Sequence, residues 1–151
     1  MKNKIASIFI VFTIIFMLSG CELNFLNKIT TPQSIVGIYK FETLLVDGED
    51  QTNTMVNNID TILYYYFGQD GTHASVLSAG EAPLEFMNAT PYSYSDGSLT
   101  IATSIFTVYV QNNKLYLKTM FGNVGSQQEL TMIFSYVDET ISQQIIDYFN
   151  D

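Results

Sequence analysis

Few side chains in this sequence can carry out chemistry, and their spacing narrows what that chemistry can be. His73 is the only imidazole, so any Ser-His-Asp relay would have to pass through it. No Gly-x-Ser-x-Gly turn accompanies it, and its place just after Asp70-Gly71 in a β-rich run reads as an ordinary strand residue. Asp47, Glu49 and Asp50 lie within four residues of one another. They lack the twelve-residue loop with its central Gly and terminal Glu, so a solvated turn is expected rather than a calcium site. Asn88-Ala89-Thr90 matches a glycosylation acceptor, but Pro91 follows it directly and the match is read as coincidence. A single Cys, Cys21, excludes a disulfide framework and any Cys-based zinc site. No metal, no cofactor and no enzymatic activity are predicted.

The aromatic residues offer a different kind of chemistry. Tyr39, Phe41, Tyr64, Tyr66, Phe106, Phe134 and Tyr136 fall in strand-like runs. They form a candidate ligand-binding set in which apolar rings line a pocket and phenols orient a guest. Aromatic residues also fill strand interiors as plain core, and both readings stay open at this point.

Composition sets the frame for these residues. The chain has 151 residues, 15 Asp plus Glu, six Lys, no Arg and a formal charge of −9, with 47% apolar residues. That is enough apolar material for one packed domain. Nucleic acid is not an expected partner, because duplex affinity comes from Lys and Arg neutralising phosphates.

Residues 1–20 read as an address. Lys2 and Lys4 precede an uncharged run from Ile5 to Leu18, fourteen residues long and therefore short of a spanning helix. Leu18-Ser19-Gly20-Cys21 resembles the bacterial lipobox. The resemblance implies cleavage ahead of Cys21, lipid modification of its sulfur and a membrane anchor in the cell envelope, at the outer membrane or cell surface. Two acyl chains suffice for stable anchoring at about 0.8 kcal/mol per buried methylene. The chain from Cys21 onward keeps four Lys against all fifteen acids, a formal −11, and should be repelled by anionic head groups. Residues 21–34 begin with the N-terminal Cys21 whose lipidation the resemblance implies; from residue 22 they have no clear period and carry Thr30, Thr31, Pro32 and Ser34, which predicts a tether.

From residue 35 to 151 the sequence predicts an all-β domain. Asp47-Gly48, Asp70-Gly71 and Asp96-Gly97 are hairpin signals, and Asn112-Asn113 and Gly122-Asn123 are weaker ones. Between them the period is two. Tyr39, Phe41 and Leu45 share one face of the first strand; Phe106, Val108 and Val110 share one face of a later strand. Leu115, Leu117 and Phe121 do the same in the next, and Leu130, Met132, Phe134 and Tyr136 in the last. Thr61 to Phe67 is apolar on both sides and predicts a strand covered twice. About eight such strands in sequence order predict an antiparallel up-and-down barrel, whose closure removes exposed edges. Ile141, Ile145 and Phe149 then recur at helical spacing, predicting a helix over about 139–149 that packs on the barrel wall or mouth. The loop Gly80 to Pro91, with Leu84, Phe86 and Met87, is expected either to lid the mouth or to fold onto the wall.

This order is similar to the bacterial lipocalin-like domain, through Gly37-Ile38-Tyr39, the Tyr94-to-Ile101 hairpin, Lys114-Leu115-Tyr116-Leu117 and Leu130-to-Phe134. The resemblance implies a barrel that carries one small apolar ligand. The expected function is a non-enzymatic, lipid-anchored barrel binding such a ligand. The alternative is an acidic interaction module with a filled barrel, an inhibitor or envelope scaffold acting on a basic protein partner.

Overall fold

Each hairpin signal is met by a turn. The computed structural model describes residues 29–55, 61–80, 82–87, 89–137 and 139–150. The leader, Cys21 and most of the tether lie outside these residues. Asp47-Gly48, Asp96-Gly97 and Asn112-Asn113 each place two consecutive residues at positive φ, the turn geometry whose twist matches that of the flanking strands. They join the strands β1 (Gly37–Val46), β2 (Glu49–Asp50), β3 (Thr61–Phe67), β4 (Thr72–Ala79), β5 (Glu85–Phe86), β6 (Thr90–Ser95), β7 (Ser98–Ile101), β8 (Ser104–Gln111), β9 (Lys114–Phe121) and β10 (Gln128–Tyr136). Among the described residues two helices join them, α1 (Thr52–Met55) and α2 (Glu139–Asn150).

All the pairings are antiparallel, and β10 returns to pair with β1, so the sheet closes. Eight strands form the wall: β1, β3, β4, β6, β7, β8, β9 and β10. The short strands are additions, β2 on the end of β1 and β5 on the end of β4. The fold is thus an all-β, eight-stranded antiparallel barrel with a C-terminal helix, as the sequence predicts. The loop from Gly80 to Pro91 belongs to the wall: Phe86 and Glu85 pair with Val76 and Leu77, and Pro91 and Thr90 pair with Thr72 and His73.

One irregularity changes which residues point inward. Between Phe41 and Thr43 the β1–β10 register slips, with Phe41 opposite Phe134 and Thr43 opposite Ile133. Glu42 is the extra residue of a β-bulge, and past it the pleat is reversed. Leu44 is therefore buried in the interior, where uninterrupted alternation predicts Leu45. Glu42 reaches Lys114 in an ion pair.

The barrel has two cores because its wall has two apolar faces. The interior cluster includes Tyr39, Phe41, Phe67, Leu99, Val108, Leu117, Met132 and Phe134. Outside, Ile38, Tyr64 and Val76 are covered by Ile145 of α2, with Ile141, Ile146 and Phe149 packed around them. β3 contributes to both clusters, as expected for a strand apolar on both sides.

The expected tether is attached to the barrel from Thr30 onward. Thr30 exchanges two backbone hydrogen bonds with Val110, at 2.9 and 2.7 Å, and the Tyr94 hydroxyl donates to the Pro32 carbonyl. A Cβ on Gly97 would come within 2.9 Å of Thr31, so this strap needs the glycine there for its close approach as well as for the turn. Ile35, 1% exposed, joins the interior cluster. The strap lies at the barrel end that carries the start of β1 and the 68–71, 96–97 and 112–113 turns, here called the near end. The far end carries the 47–48, 102–103 and 122–127 turns.

Two phenylalanines that alternation places on the inside separate here. Phe134 is fully buried, whereas Phe121 at the far end is two-thirds exposed. Phe134→Ala is expected to cost about 3–5 kcal/mol of unfolding free energy, and Phe121→Ala less than about 0.5 kcal/mol, by urea denaturation of the two variants. Equal losses would mean that the barrel interior is not the core of the fold.

Candidate functional site

The candidate aromatic set does not converge on one site. Tyr39, Phe41, Phe106 and Phe134 face the interior, and Tyr64 and Tyr66 lie on the outer face beneath α2. Tyr136 stands at the near-end lip, two-thirds exposed. Its hydroxyl is 3.1 Å from that of Tyr39, which donates to it, and the two rings lie 4.7 Å apart. Burial first, and then the Tyr136 hydrogen bond, push the Tyr39 phenol well above its ordinary range, so it remains a neutral donor.

Inside, the rings meet one another. Phe41 packs on Phe134 at 5.7 Å, Phe134 on Tyr65 at 4.8 Å, Tyr65 on Phe67 at 6.3 Å, and Phe67 on Tyr39 at 6.0 Å and Tyr92 at 5.2 Å. These are edge-to-face and tilted contacts at the separations aromatic pairs prefer. The chain of rings crosses the barrel from β1 through β10 and β3 to β6, so side chains occupy this part of the interior. Tyr65 and Tyr92 belong to this lattice, although they are absent from the candidate set. Their alternation with Tyr64 and with Ser93 and Ser95 is the signal for their inward direction.

His73 is set into the same lattice. Its ring centre is 4.8 Å from Tyr65 and 5.0 Å from Phe67, and it is 7% exposed. Neither ring nitrogen has a hydrogen-bond partner among the described residues. Burial alone pulls its pKa down from 6.5 to about 4. A neutral imidazole sealed among rings cannot relay protons to a substrate in solution, so its placement agrees with an ordinary strand role.

An accessible concavity lies instead between α2 and the near end of the barrel. It encloses about 640 Å³. Ile38 and Phe67 of the wall and Ile146 and Phe149 of the helix supply its apolar side; Gly68, Asp70 and Ser142 supply a polar side. Phe149 is fixed by stacking on Tyr66 at 4.5 Å, nearly parallel. Asp70 accepts from the Thr72 backbone N–H at 3.0 Å and from its hydroxyl at 2.9 Å, and these bonds hold its carboxyl below the usual range. A Cβ on Gly68 would sit 2.5 Å from the Asp70 carboxylate and 2.8 Å from the Tyr66 hydroxyl, so a side chain there would displace those two groups. Of the candidate set, Tyr66 and Tyr136 line this groove. Ile146 falls outside the Ile141-Ile145-Phe149 row, and the meeting of α2 with the 68–71 turn is a tertiary event that no local pattern announces.

Asp47, Glu49 and Asp50 occupy the far end. Asp47 accepts from the Glu129 backbone N–H at 2.8 Å and from Gln128 Nε2 at 3.3 Å, and Asp50 accepts from Thr52. Asp47 and Asp50 act as turn and cap acceptors, and among the described residues no cluster of His, Cys, Asp and Glu could hold a metal ion.

The buried imidazole gives a pH signature with a definite sign. Unfolded His73 takes up a proton below about pH 6.5, while the folded residue resists until about pH 4. The unfolded chain therefore binds more protons in that window, and stability declines as the pH is lowered through it, by up to about 3 kcal/mol. His73→Phe is expected to remove this component, so that the stability difference between pH 7.5 and 4.5 is smaller in the variant by urea denaturation. An identical pH dependence in both proteins would show that His73 is not held neutral by burial. The chain has no significant match among protein-family models, curated proteins or solved structures, so what the barrel does must be read from its own geometry.

Proposed function

We propose that the protein is a non-enzymatic, lipid-anchored barrel of the cell envelope that binds a small apolar ligand in the groove under α2. The anchor follows from sequence: a charged start, a short apolar run and Leu18-Ser19-Gly20-Cys21. The observation that carries the binding site is the concavity of about 640 Å³ joining an apolar floor to an anionic rim. Pockets of several hundred Å³ with mostly apolar walls and a few polar groups are the usual form of a small-molecule site.

The interior supports this choice from the other direction. Interlocked rings cross it, and the strap from Thr30 to Ile35 lies against the near end, so a lipocalin-like central guest would have to displace core side chains. A groove built from a helix and a turn asks for no such displacement.

Asp70 also selects the polar end of the ligand. Its carboxylate is held ionised by Thr72 and stands on the rim, so an apolar body ending in a neutral donor or a cation fits better than one ending in a carboxylate.

Titrating the chain from residue 22 onward with N-phenyl-1-naphthylamine, a neutral apolar fluorophore, should give saturable binding. An anionic naphthalene sulfonate of similar size should bind at least about fivefold more weakly. Ile146→Asn should abolish the saturable component, and Asp70→Asn should narrow the difference between the two probes. Saturable binding that ignores Ile146→Asn would place the site elsewhere. For the anchor, labelled fatty acid should enter the protein in cells and be lost in Cys21→Ser.

A further inference from the structure

The far end of the barrel carries an apolar surface that α2 and the strap leave uncovered. Ile105 is 64% exposed, Met120 54%, Phe121 66% and Val124 100%. They belong together: the β8–β9 register runs Thr107 opposite Lys118, which continues to Ile105 beside Met120, and the Thr119 hydroxyl donates to the Ile105 carbonyl at 2.7 Å. A concavity of about 600 Å³ opens here along Ile105, Met120 and Phe121. Ile105, Met120 and Phe121 line one hollow and so form a contiguous patch rather than scattered exposure, with Val124 exposed in the turn that follows.

Charge identifies what fits it. Met120 pairs with Glu129 on β10, and the Glu129 carbonyl accepts from the backbone N–H of Asp47 at 2.8 Å. Glu49 lies across the β1–β2 turn from Asp47. A second concavity, of about 470 Å³, runs along Asp47, Glu49 and Gln128. The β9–β10 hairpin thus has an apolar hollow on one side and an anionic hollow on the other. Of the three lysines among the described residues, Lys114 pairs with Glu42 and Lys118 with Glu129. Neither is left to neutralise Asp47 or Glu49.

We propose that this end is a docking surface for a cationic protein segment, with an apolar side chain of the partner seated against Ile105, Met120 and Phe121 and its Lys or Arg directed to Asp47 and Glu49. The surface is separate from the groove under α2 and does not depend on a ligand there. Burial of apolar side chains supplies affinity, while the acids set partner choice and speed the encounter.

The chain has no Trp, so Phe121→Trp places one fluorescent reporter in the surface. The full chain carrying it, held in neutral nanodiscs with empty discs as background, is titrated with a short amphipathic Lys/Leu peptide. Its Glu/Leu and Lys/Ser analogues serve as controls. The expected result is a saturable blue shift with the Lys/Leu peptide alone, weakened about tenfold when salt rises from about 50 to 300 mM. Met120→Ser and Glu49→Lys should each weaken it about fivefold, and Asp147→Lys on α2 should leave it unchanged. Equal binding of all three peptides, or no effect of Met120→Ser and Glu49→Lys, would overturn the assignment. So would emission already quenched by brominated lipid before peptide is added, which would make the surface a membrane contact. A concentration-dependent shift without peptide would give it instead to a second copy of the chain. Failure of apolar probes to bind under α2 would leave this result untouched.

Discussion

Closure of β1 on β10 is the constraint on which the rest of the structure depends. Seven register pairs join them, from Tyr39 opposite Tyr136 to Val46 opposite Leu130. Without that ladder the sheet would have two long edges and an apolar face open to water, which an isolated domain of this size could not tolerate. With it, every inward residue acquires neighbours from across the barrel: Phe41 meets Phe134, and Tyr65 meets Phe134 and Phe67. The bulge at Glu42 belongs to the same device. It lets a strand bend while closing, and reverses the pleat so that Leu44 continues the interior begun by Tyr39 and Phe41.

Much of this was legible in the sequence because hairpins are local. Positive-φ residue types at 47–48, 96–97 and 112–113 set where strands turn, and alternation set which faces are apolar. What escaped were features decided between distant residues. A single extra residue in β1 moves burial from Leu45 to Leu44, and no pattern of residue types marks Glu42 as that residue. Phe121 has the right parity for the interior but lies beyond the last layer the interior fills. The strap from Thr30 has a loop-like composition, yet it is tied down by Val110 and Tyr94, eighty and about sixty residues away along the chain.

The candidate site was legible only as a set of residue types. Grouping Tyr64 and Tyr66 with Tyr39 treats a doubly covered strand as if it had one apolar face. The period of two assigns Tyr64 and Tyr66 to the side opposite Tyr65 and Phe67, but only the docking of α2 shows that this side is also a core. Once both faces of β3 are committed to packing, the aromatic wealth of the chain is accounted for largely by stability. Recognition is left to surfaces where the packing ends. At those margins the chemistry is simple: an apolar floor beside Asp70 at one end, and an apolar lip beside Asp47 and Glu49 at the other.

Those two margins lie at opposite ends of one rigid wall, and the strap decides how they are presented. Eight residues lie between the proposed anchor at Cys21 and Thr30, a reach of at most about 30 Å. With the proposed anchor at Cys21, the bonds of Thr30 to the near end would keep that end, and the groove under α2, within this reach of the bilayer. A groove so placed can exchange an apolar ligand with the membrane over a short distance. The far end, on the other side of strands eight to ten residues long, would then be turned to the surroundings, where the proposed cationic partner would be met. In that arrangement the net negative charge would act in the same sense, since repulsion from anionic head groups disfavours contact of the wall with the bilayer and leaves the far surface open.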